Sequence, residues 1–292
     1  RDAQESRGLG DVYKRQILDY VLVGPLKMGA AGAAWATIIA QAVSLILAAW
    51  YLKKKGFVFD FKLKSFALIK NKVKLLFQLG LPSSAQSVVT NLSFILMTSL
   101  ANGLSVEAGA AVGIVGKFNS VAILPVVAMV SSVSAIAAQN IAAERPDRAL
   151  RVMRDGVGIS LAVGVLVFVL SQLFAEPILR LFKSDDAEVI RLGAKYLRAF
   201  CFDYLFVSFL FNMNSLINAA GHALFSMLSS MLSSIILRAP LAVLLSRAGL
   251  DIAGIGYAAP AATLAAILMA LVYILSGKWK QNATGIHREP ET

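Results

Sequence analysis

Four ionisable side chains interrupt otherwise apolar stretches of this sequence: Asp19, Lys117, Asp203 and Arg238. A charge within an apolar span is costly, so each is by default a site for an ion, a proton or a counter-charge. Counted along a helix, Asn214 falls about 20° from Asp203 and Asn218 about 60° away, so one helix face carries an acid and two amides. A second polar face holds Ser83, Gln86, Ser87 and Thr90 at helical spacing, with Asn91 beside it. Two roles fit Gln86, Asn91, Asn214 and Asn218. They form interhelical hydrogen bonds of about 0.6–2 kcal/mol each, or they line a water-filled cavity that takes a substrate. Lys117 and Asp203 have opposite charge and fit two roles as well. They neutralise each other as a structural pair, or Asp203 takes up and releases a cation or proton while Lys117 holds it ionised until a conformational change separates them. Arg238 stands two residues before Pro240, toward one end of its span, where snorkelling or bonding to a helix carbonyl is the expectation.

The elements that must position these groups are apolar segments of about 20 residues, the length that crosses a bilayer core roughly 30 Å thick. Gly29–Leu52 contains no charge up to its end. Six more follow, near Gly80–Ala101, Ala108–Ala135, Gly156–Ala175, Ala199–Leu216, Ala223–Leu245 and Gly254–Ser276. The chain is 58% hydrophobic and 15% charged, against about 25% charged for soluble domains. Segments apolar all round have no face to give to water. The fold class is therefore all-α, a polytopic transmembrane helix bundle.

Several functions are excluded on the same grounds. The net charge of +11 lies in connectors between spans, not in the single basic patch that nucleic acid requires. One cysteine, Cys201, makes no internal disulfide framework, and two distant histidines make no metal centre. An intramembrane aspartyl enzyme would need Asp19 and Asp203, and neither stands in a G-x-G-D context. No G-x-S-x-G elbow is present. The chain reads as a non-enzyme with no soluble cofactor and no metal, its partners being membrane lipid and a small-molecule cargo.

Residues 1–16, RDAQESRGLGDVYKRQ, are polar and join abruptly to Ile17. They lack the basic start, apolar centre and cleavage site of a signal peptide. The string resembles a translated sequencing adapter, a non-native head, with a cytoplasmic tail as the alternative. On the first reading Ile17–Val23 is the stub of a longer helix. Lys53–Lys74 holds eight lysines against Asp60, which places it in the cytoplasm. Counting spans onward puts Arg145, Arg148, Arg151 and Arg154 on that side, and the tail 281–292 with Lys278 and Lys280 before it. The connector 53–74 is the boundary between two lobes, 17–52 and 75–280, and its Phe57, Val58, Phe59 and Phe61 suit either an interfacial segment or a loop. Gly29-x-x-Gly32 and Ala253-x-x-Gly256, each opening an Ala-rich helix that ends on lysine, suit parallel repeats across that boundary.

Several stretches resemble one family. LDYVLVGPLKMGAAGAAWATIIAQ (Leu18–Gln41), LGLPSSAQSVV (Leu79–Val89), AQNIAAERPDRALR (Ala138–Arg151) and YLRAFCFDYLFVSFLFNMNSLINAAGHALFSM (Tyr196–Met227) are similar in content and order to the multidrug and toxic compound extrusion (MATE) transporters. The resemblance runs from Ile17 to about Lys280. It implies a twelve-helix fold of which this chain holds a helix-five stub, helix six and the C-terminal lobe of helices seven to twelve. The implied activity is antiport of drugs or organic cations against protons or sodium by alternating access. Asp19 and Thr37 match the helix-five acid and helix-six threonine of proton-coupled members, and Asp203 falls where sodium-coupled members carry a helix-ten acid. Asp19, Thr37 and Asp203 are thus the cation-coupling candidates. The match is incomplete: Arg15 occupies an expected asparagine position, and the helix-seven acid has no counterpart. Helices one to four are missing, and transport by the chain alone is not expected. A flippase for lipid-linked oligosaccharides of the same superfamily would use several cavity cations for pyrophosphate, where only Lys117 and Arg238 are available. A non-transporting membrane remnant is the other alternative, and the bacterial inner membrane, with the C-terminus inside, is the expected location.

Overall fold

The computed structural model describes residues 16–25, 27–54, 70–182 and 186–280. The adapter-like head up to residue 15, most of the basic connector with its phenylalanines, and the tail 281–292 lie outside the described residues. The described chain is helical throughout, as the apolar spans predict. It forms two compact units, one up to Ile69 and one from Lys70 onward.

The first unit contains α1 (residues 16–23) and α2 (Gly29–Lys54). Gly32 lets the two elements close up, since a Cβ there would stand 3.0 Å from the Leu22 carbonyl oxygen. Trp35, Ile38, Leu45 and Ile46 of α2 are exposed. An apolar outer surface of this kind suits lipid, not water.

The second unit is a bundle of α3 (Lys70–Asn102), α4 (Val106–Ala122), α5 (Leu124–Ala142), α6 (Pro146–Leu173), the short α7 (Ala175–Arg180), α8 (Ala187–Phe200), α9 (Phe202–Ala219), α10 (Ala223–Met231), α11 (Ala239–Leu245) and α12 (Asp251–Leu275). By length and apolarity four described helices are able to cross a membrane, or five when the bent pair α8–α9 counts as one span. The last of these, residues 223–275, is 53 residues long. It folds back on itself at Gly249 (φ 95°) and Asp251 (φ 47°), so α12 returns along α11. Only glycine adopts the first of these angles without steric cost.

Two of the predicted spans are broken. The segment 108–135 is two helices, α4 and α5, meeting at Ile123. Pro125 explains the break: it sits in the first turn of α5, where its missing N–H costs nothing. The span 199–216 belongs to the pair α8–α9, bent by 43° at Cys201. Gln172 of α6 braces that corner, donating to the Arg198 carbonyl (3.0 Å) and to Cys201 Sγ (3.3 Å).

Helix α9 is the centre of the bundle. It packs on α5 and α6 along one side and on α12 along another. Gly156, Ser160 and Gly164, four residues apart, present a smooth face of α6 to it. A Cβ at Gly164 would meet the Tyr204 carbonyl oxygen at 2.6 Å. Close backbone approach through small residues is the usual basis of helix association in lipid. Ser208 donates to the Ser160 carbonyl (3.0 Å), and Asn212 Nδ2 donates to Ser160 Oγ (3.0 Å). Two apolar clusters fill the bundle. One is centred on Val115, Leu197, Phe200 and Ile255, the other on Met153, Leu216, Ile217 and Ile274. Ser208 on α9 and Thr263 on α12 fall between them in sequence, so the polar layer lies at the middle of the bundle.

Candidate functional site

Asp203, Val207, Leu210 and Asn214 recur every three or four residues of α9 and share one face. That face forms a wall of a cavity of about 450 Å³, closed by α3, the α4–α5 junction, α12 and the segment from Ser230 to Arg238. An adjoining cavity of about 360 Å³ shares Asn91, Phe94, Asn119, Ser120 and Phe200 with it.

Asp203 is buried at 9% exposure. Its Oδ1 accepts a hydrogen bond from Thr263 Oγ1 at 2.5 Å. A buried carboxylate is stabilised by such a donor and by nearby positive charge. The nearby positive charge is Arg238, 8% exposed, whose guanidinium lies 4.9 Å from the centre of the Phe94 ring. This overturns the expectation that Arg238 snorkels outward. The reason is local. Leu232–Arg238 is a π-helical turn that also carries Ser233 and Ser234 to the cavity. Its wider winding shifts the phase of the side chains relative to an α-helix, and such turns recur at functional sites. Pro240 then opens α11 at a position that needs no donor.

The amides take different positions. Gln86 lines the cavity and its Nε2 donates to Ser230 Oγ at 2.8 Å, so it also ties α3 to α10. Asn91 lines the cavity and returns its Nδ2 to the Ser87 carbonyl one turn back, at 2.8 Å. Asn214 lines it at 5% exposure, and its Oδ1 accepts from no protein group. Asn218 is half-buried, its Oδ1 also without a protein donor, and it is not part of the wall.

Lys117 is elsewhere. It is exposed, absent from both cavity walls, and forms no ion pair with Asp203. Gly116, Asn119 and Ser120 of the same helix do face the cavities, which leaves Lys117 about 100° round from that face. In the first unit, Thr37 is half-buried and donates to the Ala33 carbonyl at 2.9 Å on its own helix. Asp19 is half-buried on α1. Three cavity residues, Thr263, Tyr204 and Asn119, carry no signal of their own in the sequence.

The succession of helices has counterparts in known proteins. The family model MatE matches residues 82–244. This chain belongs to the MatE family. It is 28% identical over 251 residues to the probable multidrug resistance protein YoeA of Bacillus subtilis, an alignment covering 85% of this chain and 54% of that protein. The probable multidrug resistance protein NorM of Thermotoga maritima is 26% identical over 278 residues, covering 91% and 58%. The chain thus spans a little over half the length of these curated relatives. Among solved structures, a MOP superfamily transporter from Pyrococcus furiosus, described as having a binding pocket of reversed polarity, superposes with a TM-score of 0.84 at 18% identity. That match covers 95% of this chain and 62% of the other. The bent form of the Vibrio cholerae MATE transporter VcmN superposes with a TM-score of 0.78 at 21% identity, covering 94% and 63%. The fold is that of part of a MatE transporter, a helical membrane bundle, and the relatives are transporters, not enzymes.

Proposed function

We propose that this chain forms part of a MatE transporter that carries out cation-coupled export of drugs or organic cations across the bacterial inner membrane, by antiport against protons or sodium, and that it does not transport alone. The observation that carries the reading is a buried carboxylate, Asp203, on the wall of a cavity large enough for a small organic molecule. An acid so placed binds an organic cation and a coupling ion at the same atoms, so the two exclude each other. Exclusion at one site is what exchange requires, because each face of the membrane then loads one ligand only after releasing the other. Thr263 holds the carboxylate toward the cavity, and Asn91, Asn214 and Gln86 supply neutral polar contacts. In this reading Asp19 and Thr37 form a second coupling site in the first unit. The arginines of Arg145–Arg154 and the lysines around Trp279 face the cytoplasm with the C-terminus.

Cells producing the full-length transporter of which this chain forms part are expected to accumulate less ethidium than cells producing its Asp203→Asn variant. Equal accumulation in the two would remove Asp203 from the mechanism.

A further inference from the structure

Between the last turns of α12 and the first turn of α10 the bundle carries an open groove of about 460 Å³. Phe225 of α10 and Leu268, Val272 and Tyr273 of α12 form its walls, and Ser276 and Lys278 stand at one end. The Phe225 and Tyr273 rings stack with centres 3.9 Å apart, which makes one wall flat and aromatic. Leu268 and Val272 are 55% and 68% exposed, so the groove opens to the outside of the bundle. It shares no residue with the Asp203 cavity.

The hydroxyls along the groove are committed. Tyr273 is hydrogen-bonded to His222 Nδ1 (2.9 Å), and Ser276 Oγ donates to the Tyr273 carbonyl (2.7 Å). Lys280 is committed too, to Asp147 at 3.4 Å and over the Trp279 ring at 5.8 Å. Lys278 differs: it is exposed, and none of the ion pairs among the described residues includes it. Its backbone is nevertheless fixed. Gly277 (φ 71°) ends α12 in a conformation that suits glycine. Trp279 is then buried at 2% exposure, with its Nε1 donating to the Ile274 carbonyl (3.0 Å). A cation carried on so anchored a turn loses little freedom on binding an anion.

We propose that this groove is a site for one anionic phospholipid, with an acyl chain along Leu268 to Tyr273 and the phosphate on the Lys278 ammonium. The dimensions agree: α12 rises about 12 Å from Leu268 to Ser276, against about 15 Å for half of a bilayer core. An apolar slot ending on an unpaired cation at the membrane surface matches a lipid with a net negative headgroup. The other occupants fit worse. An organic cation would be repelled by Lys278. The tail 281–292 has one large apolar residue, Ile286, to offer such walls. A second copy packed about a two-fold axis at the groove would bring two Lys278 side chains together. A lipid here is independent of what the Asp203 cavity exports.

The test is photo-crosslinking, in lipid nanodiscs, of the full-length transporter of which this chain forms part. The probes are phosphatidylglycerol and phosphatidylcholine, each with a diazirine in one acyl chain and compared at equal mole fraction. Mass spectrometry locates and counts the adducts. Wild type is expected to carry adducts within 268–273, about fivefold more from phosphatidylglycerol, as one lysine at a membrane surface implies. Lys278→Gln should bring the two yields close together, and Lys278→Arg should keep the preference. Equal yields in wild type would overturn the assignment. So would a preference that survives Lys278→Gln, which is what a general attraction by the arginines of α6 would produce. Absence of adducts from either lipid at 268–273 would overturn it as well, and would point to a second copy or the tail as the cover. The wild-type comparison is decisive by itself, because it needs no variant to fold.

Discussion

The Thr263 hydroxyl on α12 donates to Asp203 Oδ1 on α9, and this bond joins the two helices at the level where the apolar core gives way to polar side chains. A hydrogen bond to a charged group is worth about 1.5–3 kcal/mol. Thr263→Val should therefore lower stability by about that amount, read as a fall in the thermal midpoint in detergent. Thr263→Ser, which keeps the hydroxyl, should restore most of it. Equal midpoints for the Val and Ser variants would show that the bond contributes nothing.

The glycine stripe of α6 gives a sharper contrast. Gly164 lies against the backbone of α9, whereas nothing stands within 4 Å of a Cβ at Gly158 on the same helix. Gly164→Leu should separate α6 from α9 and cost about 3 kcal/mol or more, overpacking being worst where the neighbour is backbone. Gly158→Leu should be near neutral. Thermal unfolding of the two variants side by side decides the point, and similar losses would contradict the packing described.

Gln86 and Ser230 hold α3 to α10 across the cavity edge at 2.8 Å. A double-mutant cycle with Gln86→Leu and Ser230→Ala should give a coupling energy of about 0.6 kcal/mol, the average for such bonds in membrane bundles. A coupling indistinguishable from zero would mean that Gln86 serves the cavity alone.

Cys201, at the α8–α9 bend, is fully buried and braced by Gln172. It should resist a membrane-permeant maleimide in the folded protein and react fully in sodium dodecyl sulfate. Gln172→Ala should make it reactive in the folded state as the bend loosens. Mass spectrometry after a timed exposure reads both.

Much of this was legible from the sequence because lipid simplifies the problem. A membrane helix must be about 20 apolar residues long, so the bundle is visible without any partner information. The face of α9 with Asp203 and Asn214 follows from 100° per residue alone. Where local winding departs from that period, the same counting fails. Arg238 follows a π-helical turn, and it points into the cavity instead of toward the interface. Opposite charge without direction also misleads, since Lys117 is displaced round α4 from the face that meets the cavity. Thr263 is a single hydroxyl in an alanine-rich helix, and nothing short of the fold pairs it with Asp203. The small residues Gly156, Ser160 and Gly164, four apart, gave no such signal by themselves, since small residues occur in every span, and only the fold shows that α9 packs against them.

The central claim is that Asp203 holds either the organic cation or the coupling ion, never both. Ethidium binding to the purified protein in nanodiscs, measured against pH and sodium concentration, tests it most directly. The account predicts that lowering the pH or raising sodium weakens ethidium binding about tenfold or more, and that Asp203→Asn binds weakly with no such dependence. Ethidium affinity in wild type that is indifferent to both ions would contradict it.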